Sequence, residues 1–165
     1  MAEELTIKGG SKEEKYLELV PQVKSVVEGE TDMIANMANV ASMVHETFGF
    51  WWTGFYRVCP ASTEEGQQPK SILVLGPFQG PLACTRIPKG RGVCGTAWER
   101  GETIVVEDVD KFPGHIACSS ASRSEIVVPI KKDGVVVAVF DIDSAELATF
   151  DETDKKYLEE IAQLL

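Results

Sequence analysis

The stretch "EIVVPIKKDGVVVAVFDID", residues 125–143, decides the fold. Two runs rich in valine and isoleucine flank "KKDG", and Asp-Gly between such runs is a strong local signal for a β-hairpin. A three-residue loop pairs Lys131 with Val135 and sets Glu125 opposite Asp141. A two-residue Asp-Gly turn sets Glu125 opposite Ile142 instead. The hydrophobic pattern favours the first register, which places Ile126 and Val128 beside Phe140 and Ala138. Side chains alternate along a strand, so Asp141 and Asp143 share one face while Phe140 and Ile142 share the other. In that register three acids converge.

Outward from the hairpin, the remaining elements are short. Upstream, "FWWTGFYRV" (50–58) is rich in aromatic residues and reads as a strand. After a polar loop with two prolines come "ILVLGPF" (72–78) and a short strand in "ACTRIP" (83–88). The glycines of "KGRGVCGTAWERG" precede a short helix that stops before Gly101, and "ETIVVED" (102–108) is a further strand. At the N-terminus, Ser11 and Glu14 form a capping box for a helix through about residue 28, despite Pro21. Thr31 can cap a second helix, in which Ile34, Met37, Ala38, Ala41 and Val44 recur at helical spacing. Asp151 caps a last helix. Short strands joined by hairpins give an α+β fold with a mostly antiparallel sheet. No repeat or linker interrupts the 165 residues, which read as a single domain over 1–165.

The formal net charge of −10 argues against nucleic acid and against anionic membrane as partners, because both select a basic surface. No apolar run is long enough to cross a bilayer, and the acidic start "MAEELTIKGGSKEEK" is unlike a secretory or transit signal. The expected location is cytoplasmic, where thiols stay reduced. That makes the cysteines interesting, since Cys84, Cys94 and Cys118 crowd into one part of the chain. Cys118 lies among small residues, with His115 before it and Arg123 after it. An exposed thiol there can be oxidised to a sulfenic acid, and a second cysteine can condense with it. The bland alternative is that a buried cysteine, Cys94 above all, is a small apolar residue. A zinc site of Cys84, Cys94, His115 and Cys118 is a third reading, weakened by the nine-residue gap between Cys84 and Cys94. Cys59, before Pro60, suggests no chemistry.

Close carboxylates repel, so Glu125, Asp141 and Asp143 need a cation or a retained proton. A ligand ammonium, a divalent metal or Arg123 could supply the charge. On the neighbouring strand, Trp52, Gly54 and Tyr56 share a face that could wall the same pocket, and aromatic rings suit a methyl or thioether group.

Together, "WWTGFYRV", "LGPFQGPLACTRIPKGRGVCGTAW", "HIACSSASRSEIVVPI" and "FDIDS" closely resemble the free methionine-(R)-sulfoxide reductases, a stand-alone branch of the GAF-domain fold. The resemblance implies a six-stranded antiparallel sheet flanked by helices, and thiol chemistry with no cofactor and no metal. By position, Cys118 matches the family's nucleophile, Cys84 its resolving cysteine, and Cys94 an alternative resolving or relay cysteine. Glu125, Asp141 and Asp143 match the acids that hold and protonate the substrate. Trp52 and Tyr56 match aromatic positions near its methyl sulfoxide. The implied partners are free methionine-(R)-sulfoxide and the external reductant thioredoxin, and members are often homodimers. The rivals from other classes are a non-catalytic GAF small-ligand sensor and a thiol redox sensor. The first sits poorly with three acids in its pocket, and the second leaves those acids idle.

Overall fold

The computed structural model describes residues 4–61, 70–115 and 121–165. Helices α1 (Lys12–Val27) and α2 (Met33–Phe48) lead into strands β1 (Trp52–Pro60), β2 (Ser71–Gln79) and β3 (Arg86–Ile87). Helix α3 (Gly92–Arg100), strand β4 (Ile104–Val106) and a 3-10 turn (Val109–Lys111) follow. Strands β5 (Ser124–Lys132) and β6 (Val135–Ser144) form the expected hairpin, and helix α4 (Glu152–Leu164) closes the chain. The six strands make one sheet in the order β3-β2-β1-β6-β5-β4. Every pairing in it is antiparallel.

Alternation along the strands divides the core in two. Phe55, Ile126, Val128, Ile130, Ala138, Phe140 and Ile142 point to one face and pack against α1, α2 and α4. Trp52, Tyr56, Leu73, Val127 and Val139 point to the other, where Val93, Cys94, Ala97 and Trp98 of α3 cover them. The first side is fastened by a buried polar pin. Asp154 is fully buried, accepts from the Tyr16 hydroxyl at 2.8 Å and pairs with Lys12, which ties α4 to α1.

The helix ends obey local chemistry. Ser11 and Glu14 make the capping box, Asp151 caps α4 together with Asp154, and α1 runs on through Pro21. Helix α2 is capped by Asp32 rather than Thr31; the Asp32 carboxylate accepts from the Ala35 N–H, the usual cap geometry.

The hairpin departs from both expected registers. Asp133 and Gly134 form a two-residue turn, with φ of 52° and 77°, the left-handed pair of a type I′ turn. Lys132 pairs with Val135 and Lys131 with Val136, but Ile130 then pairs with Ala138. Val137 is the extra residue of a bulge, and it shifts everything beyond it by one. Glu125 therefore stands opposite Asp143, not Asp141. The tight turn costs one position and the bulge restores it, so the three acids still share a face.

Candidate active site

One row of the sheet carries most of the site. Trp52 on β1 pairs with Asp143 on β6, which pairs with Glu125 on β5. In the next row, Gly54 stands beside Asp141 and Asp141 beside Val127. Alternation aims Glu125, Asp141 and Asp143 at α3, into a pocket lined also by Trp51, Tyr56, Leu82, Cys94, His115 and Ser122. The cavity itself is small, about 40 Å³.

Gly54 shapes the aromatic wall. A Cβ there would lie 2.4 Å from the Phe78 Cβ and 2.6 Å from the Trp52 ring. Its absence lets Trp52 fold over the strand and stack on Phe78 at 5.2 Å and on Tyr56 at 6.0 Å. The indole N–H donates to the Pro81 carbonyl, and the Tyr56 hydroxyl donates to the Cys84 carbonyl at 2.9 Å. Both rings thus grip the segment between β2 and β3 that carries Cys84.

The acids are deep. Glu125 and Asp141 are each 6% exposed, and Asp141 keeps one carboxyl oxygen, Oδ1, with no hydrogen-bond partner. Such an atom is costly unless something arrives to pair with it. Burial, and then the charges of Asp141 and Asp143, push the Glu125 carboxyl well above the usual range. Burial and the Asp143 charge do the same to Asp141. Burial raises Asp143 to about 6, against the pull of the Ser122 hydroxyl that donates to it. Arg123, one expected source of compensating charge, is exposed, and among the described residues no Lys or Arg ion-pairs with the three acids. His115 Nε2 lies 3.8 Å from Glu125 Oε2, but burial lowers the His115 pKa. The contact is therefore not an ordinary ion pair, since burial disfavours the charged form of both groups.

Cys94 points from α3 into the acids, with Sγ 4.0 Å from Glu125 Oε1. It is a free thiol, as is Cys59; Cys84 is not. Burial, followed by the Asp141 and Glu125 charges, pushes the Cys94 thiol up, so it keeps its proton. The start of α3 also faces the pocket: Arg91, Gly92 and Val93 line it, and no side chain caps this helix.

The sequence-predicted residues thus assemble, with one left over. Trp52, Tyr56, Cys94, Glu125, Asp141 and Asp143 line one pocket, and Cys84 sits at its edge through Tyr56. Cys118, and with it the nucleophile position and one member of the disfavoured zinc set of Cys84, Cys94, His115 and Cys118, lies outside the described residues. Two participants went unread in the sequence, the Ser122–Asp143 contact and the uncapped start of α3. Ser122 gave no signal, being one of several serines in its loop. The α3 start was signalled by the glycines of "KGRGVCG", whose link to the acids is long-range.

The comparisons with known proteins agree with this geometry. Residues 31–165 match the model of the GAF domain. GAF domain-containing protein A of Dictyostelium discoideum is 54% identical over 165 residues, covering 100% of this chain and 99% of that protein. The free methionine-R-sulfoxide reductase of Saccharomyces cerevisiae is 41% identical, covering 94% of this chain and 86% of the yeast one. The X-ray structure of free methionine-R-sulfoxide reductase from Neisseria meningitidis in complex with its substrate superposes with a TM-score of 0.88 at 54% identity. It covers 98% of this chain and 92% of that one. Fold and pocket define a GAF domain. Within that class, the chain belongs to the family of the free methionine-R-sulfoxide reductases.

Proposed function

We propose that this protein reduces free methionine-(R)-sulfoxide to methionine by thiol chemistry, with thioredoxin as the external dithiol. The observation that carries the reading is a trio of close carboxyls without a Lys or Arg partner, two of them buried, with Asp141 Oδ1 unpartnered near an aromatic wall. A free amino acid brings the ammonium that such a trio lacks. Its carboxylate suits the uncapped N–H groups at the start of α3, and its methyl sulfoxide suits Trp52 and Tyr56.

The Cys118 thiolate attacks the sulfoxide sulfur while Glu125 or Asp143 gives a proton to the oxygen. A carboxyl that retains its proton near neutral pH is suited to that task. Methionine leaves as the oxygen passes to Cys118, which becomes a sulfenic acid. The Cys84 thiol then attacks Cys118 and water departs, leaving a disulfide; Cys94 is the alternative partner, less apt because its proton is hard to remove. Two electrons from thioredoxin restore both thiols. The cycle needs no metal or cofactor. The assignments of Cys118 and Cys84 rest on their positions in the family motifs. As the family's members often do, the protein works as a homodimer in this reading.

The test is methionine release from the free (R) and (S) sulfoxides and from an N-acetylated (R) form, with a dithiol reductant. Turnover of the free (R) form alone is expected. Equal turnover of the acetylated form would remove the ammonium site, and no turnover of any form would remove the reductase.

A further inference from the structure

We propose that Cys94, Glu125 and Asp141 form a three-residue binding site for Zn2+, with a water as the fourth ligand, and that the metal excludes the amino-acid substrate. The second half of this statement rests on the function proposed above; the first does not. One ligand atom from each of Cys94, Glu125 and Asp141 lies within 4.8 Å of the other two. Metal–ligand bonds of about 2.0–2.3 Å in a tetrahedron put neighbouring donors roughly 3.3–3.8 Å apart. The Cys94–Glu125 separation of 4.0 Å, and the 4.8 Å limit that holds all three donors, are therefore within a modest adjustment of that geometry.

The Asp141 Oδ1 atom supplies an independent indication. It is buried and without a hydrogen-bond partner in a side chain that otherwise meets Glu125 and Cys94, so a cation among these three would satisfy it. The donor set also selects among metals. A sulfur beside two carboxylates suits Zn2+ or Co2+, whereas Mg2+ and Ca2+ take oxygen ligands. On binding, the Cys94 S–H bond breaks, a metal–sulfur bond forms, and the proton passes to solvent with those displaced from the carboxyls. No electron is transferred. Cys94 thereby acquires a role that does not require it to join a disulfide. Because Zn2+ and a substrate ammonium would use the same carboxylates, each must weaken the other equally.

The experiment titrates Co2+, as a spectroscopic stand-in for Zn2+, into the reduced full-length Cys118→Ser chain after removal of the reductant. A thiolate-to-cobalt charge-transfer band is expected at one Co2+ per chain, displaced by Zn2+ and indifferent to Mg2+ and Ca2+. Adding Cys84→Ser should leave the band, adding Cys94→Ser should abolish it, and adding Glu125→Gln should weaken cobalt by about tenfold or more. If Cys94→Ser does not fold, as judged by circular dichroism, Asp141→Asn carries the test through the same loss of affinity. A band that survives Cys94→Ser, or no band in the parent chain, overturns the site. In calorimetry on Cys118→Ser, Zn2+ should lower the affinity for free methionine-(R)-sulfoxide, and unchanged affinity overturns the exclusion. Sulfoxide turnover by the wild-type chain is scored separately. A Cys94-dependent band without turnover leaves the metal site standing and removes the reductase, and the converse result removes only the metal site.

Discussion

Glu125 and Asp143 face each other directly across the β5–β6 ladder, with Trp52 on the far side of Asp143. Acids so placed are not equivalent. Asp143 is half-buried and holds the Ser122 hydroxyl, whereas Glu125 is deeper and faces Cys94 and His115. Glu125 is therefore the stronger candidate to keep a proton near neutral pH. Glu125→Gln should lower kcat/KM by about 100-fold or more, in the range of a lost general acid. Asp143→Asn should fall more through KM, because it removes charge from the ammonium site. Steady-state kinetics on the free sulfoxide separates the two, and wild-type values for both variants would remove the acids from the reaction.

The same carboxyls set a pH dependence of stability. Asp143 is raised to about 6, and burial raises Glu125 and Asp141 well above the ordinary carboxylate range. Between the ordinary carboxylate range and these values the folded chain holds protons that the unfolded chain has released. Stability must then fall as pH rises through this window. Asp151 and Glu18 are shifted the other way, with effects at more acidic pH, and the lowered His115 opposes the trend at about pH 6 as one group against three. The ligand-free protein should melt at a lower temperature at about pH 8 than at about pH 5.5. Asp141→Asn should flatten that slope, and a slope of opposite sign in thermal scans would contradict the buried cluster.

Much of this arrangement was legible because it is local or periodic. The capping box of α1, the Asp151 cap of α4, the hairpin and the alternation of Asp141 with Ile142 each lie within a few consecutive residues. The bulge at Val137 was not legible, since "VVVAV" offers no residue whose chemistry marks the extra position. Its effect on pairing was nevertheless compensated by the two-residue turn, and parity, which decides the face, survived. What pairs across distance stayed hidden. Nothing in sequence spacing brings Cys94 to Glu125, or the start of α3 to the acids, because those contacts depend on how α3 crosses the sheet.

The cysteine assignments separate by counting products. With Cys118→Ser no methionine should form, even in a single turnover, because the attacking sulfur is gone. With Cys84→Ser about one methionine per site should appear in a burst, followed by slow recycling, because the sulfenic acid forms but lacks its partner. Rapid-quench measurement of methionine against enzyme concentration reads both. Full thioredoxin-linked turnover in Cys84→Ser would move the resolving role to Cys94, despite the burial that holds its proton.

Gly54 links the backbone to the aromatic wall, and its replacement should be felt in the pocket before it is felt in the fold. A Cβ at this position would sit 2.4 Å from the Phe78 Cβ and 2.6 Å from the Trp52 ring, both inside any tolerable contact. Phe78 Cβ is fixed to β2, so the Gly54–Phe78 pairing must open locally and the indole must lift from its stack. The Trp52 N–H would then lose the Pro81 carbonyl, loosening the segment that leads to Cys84. Gly54→Ala should cost about 1–3 kcal/mol of stability, as overpacking of a tight core does. It should also raise KM for the sulfoxide and shift the tryptophan emission. Wild-type emission and KM in a folded Gly54→Ala protein would show that Trp52 does not wall the substrate.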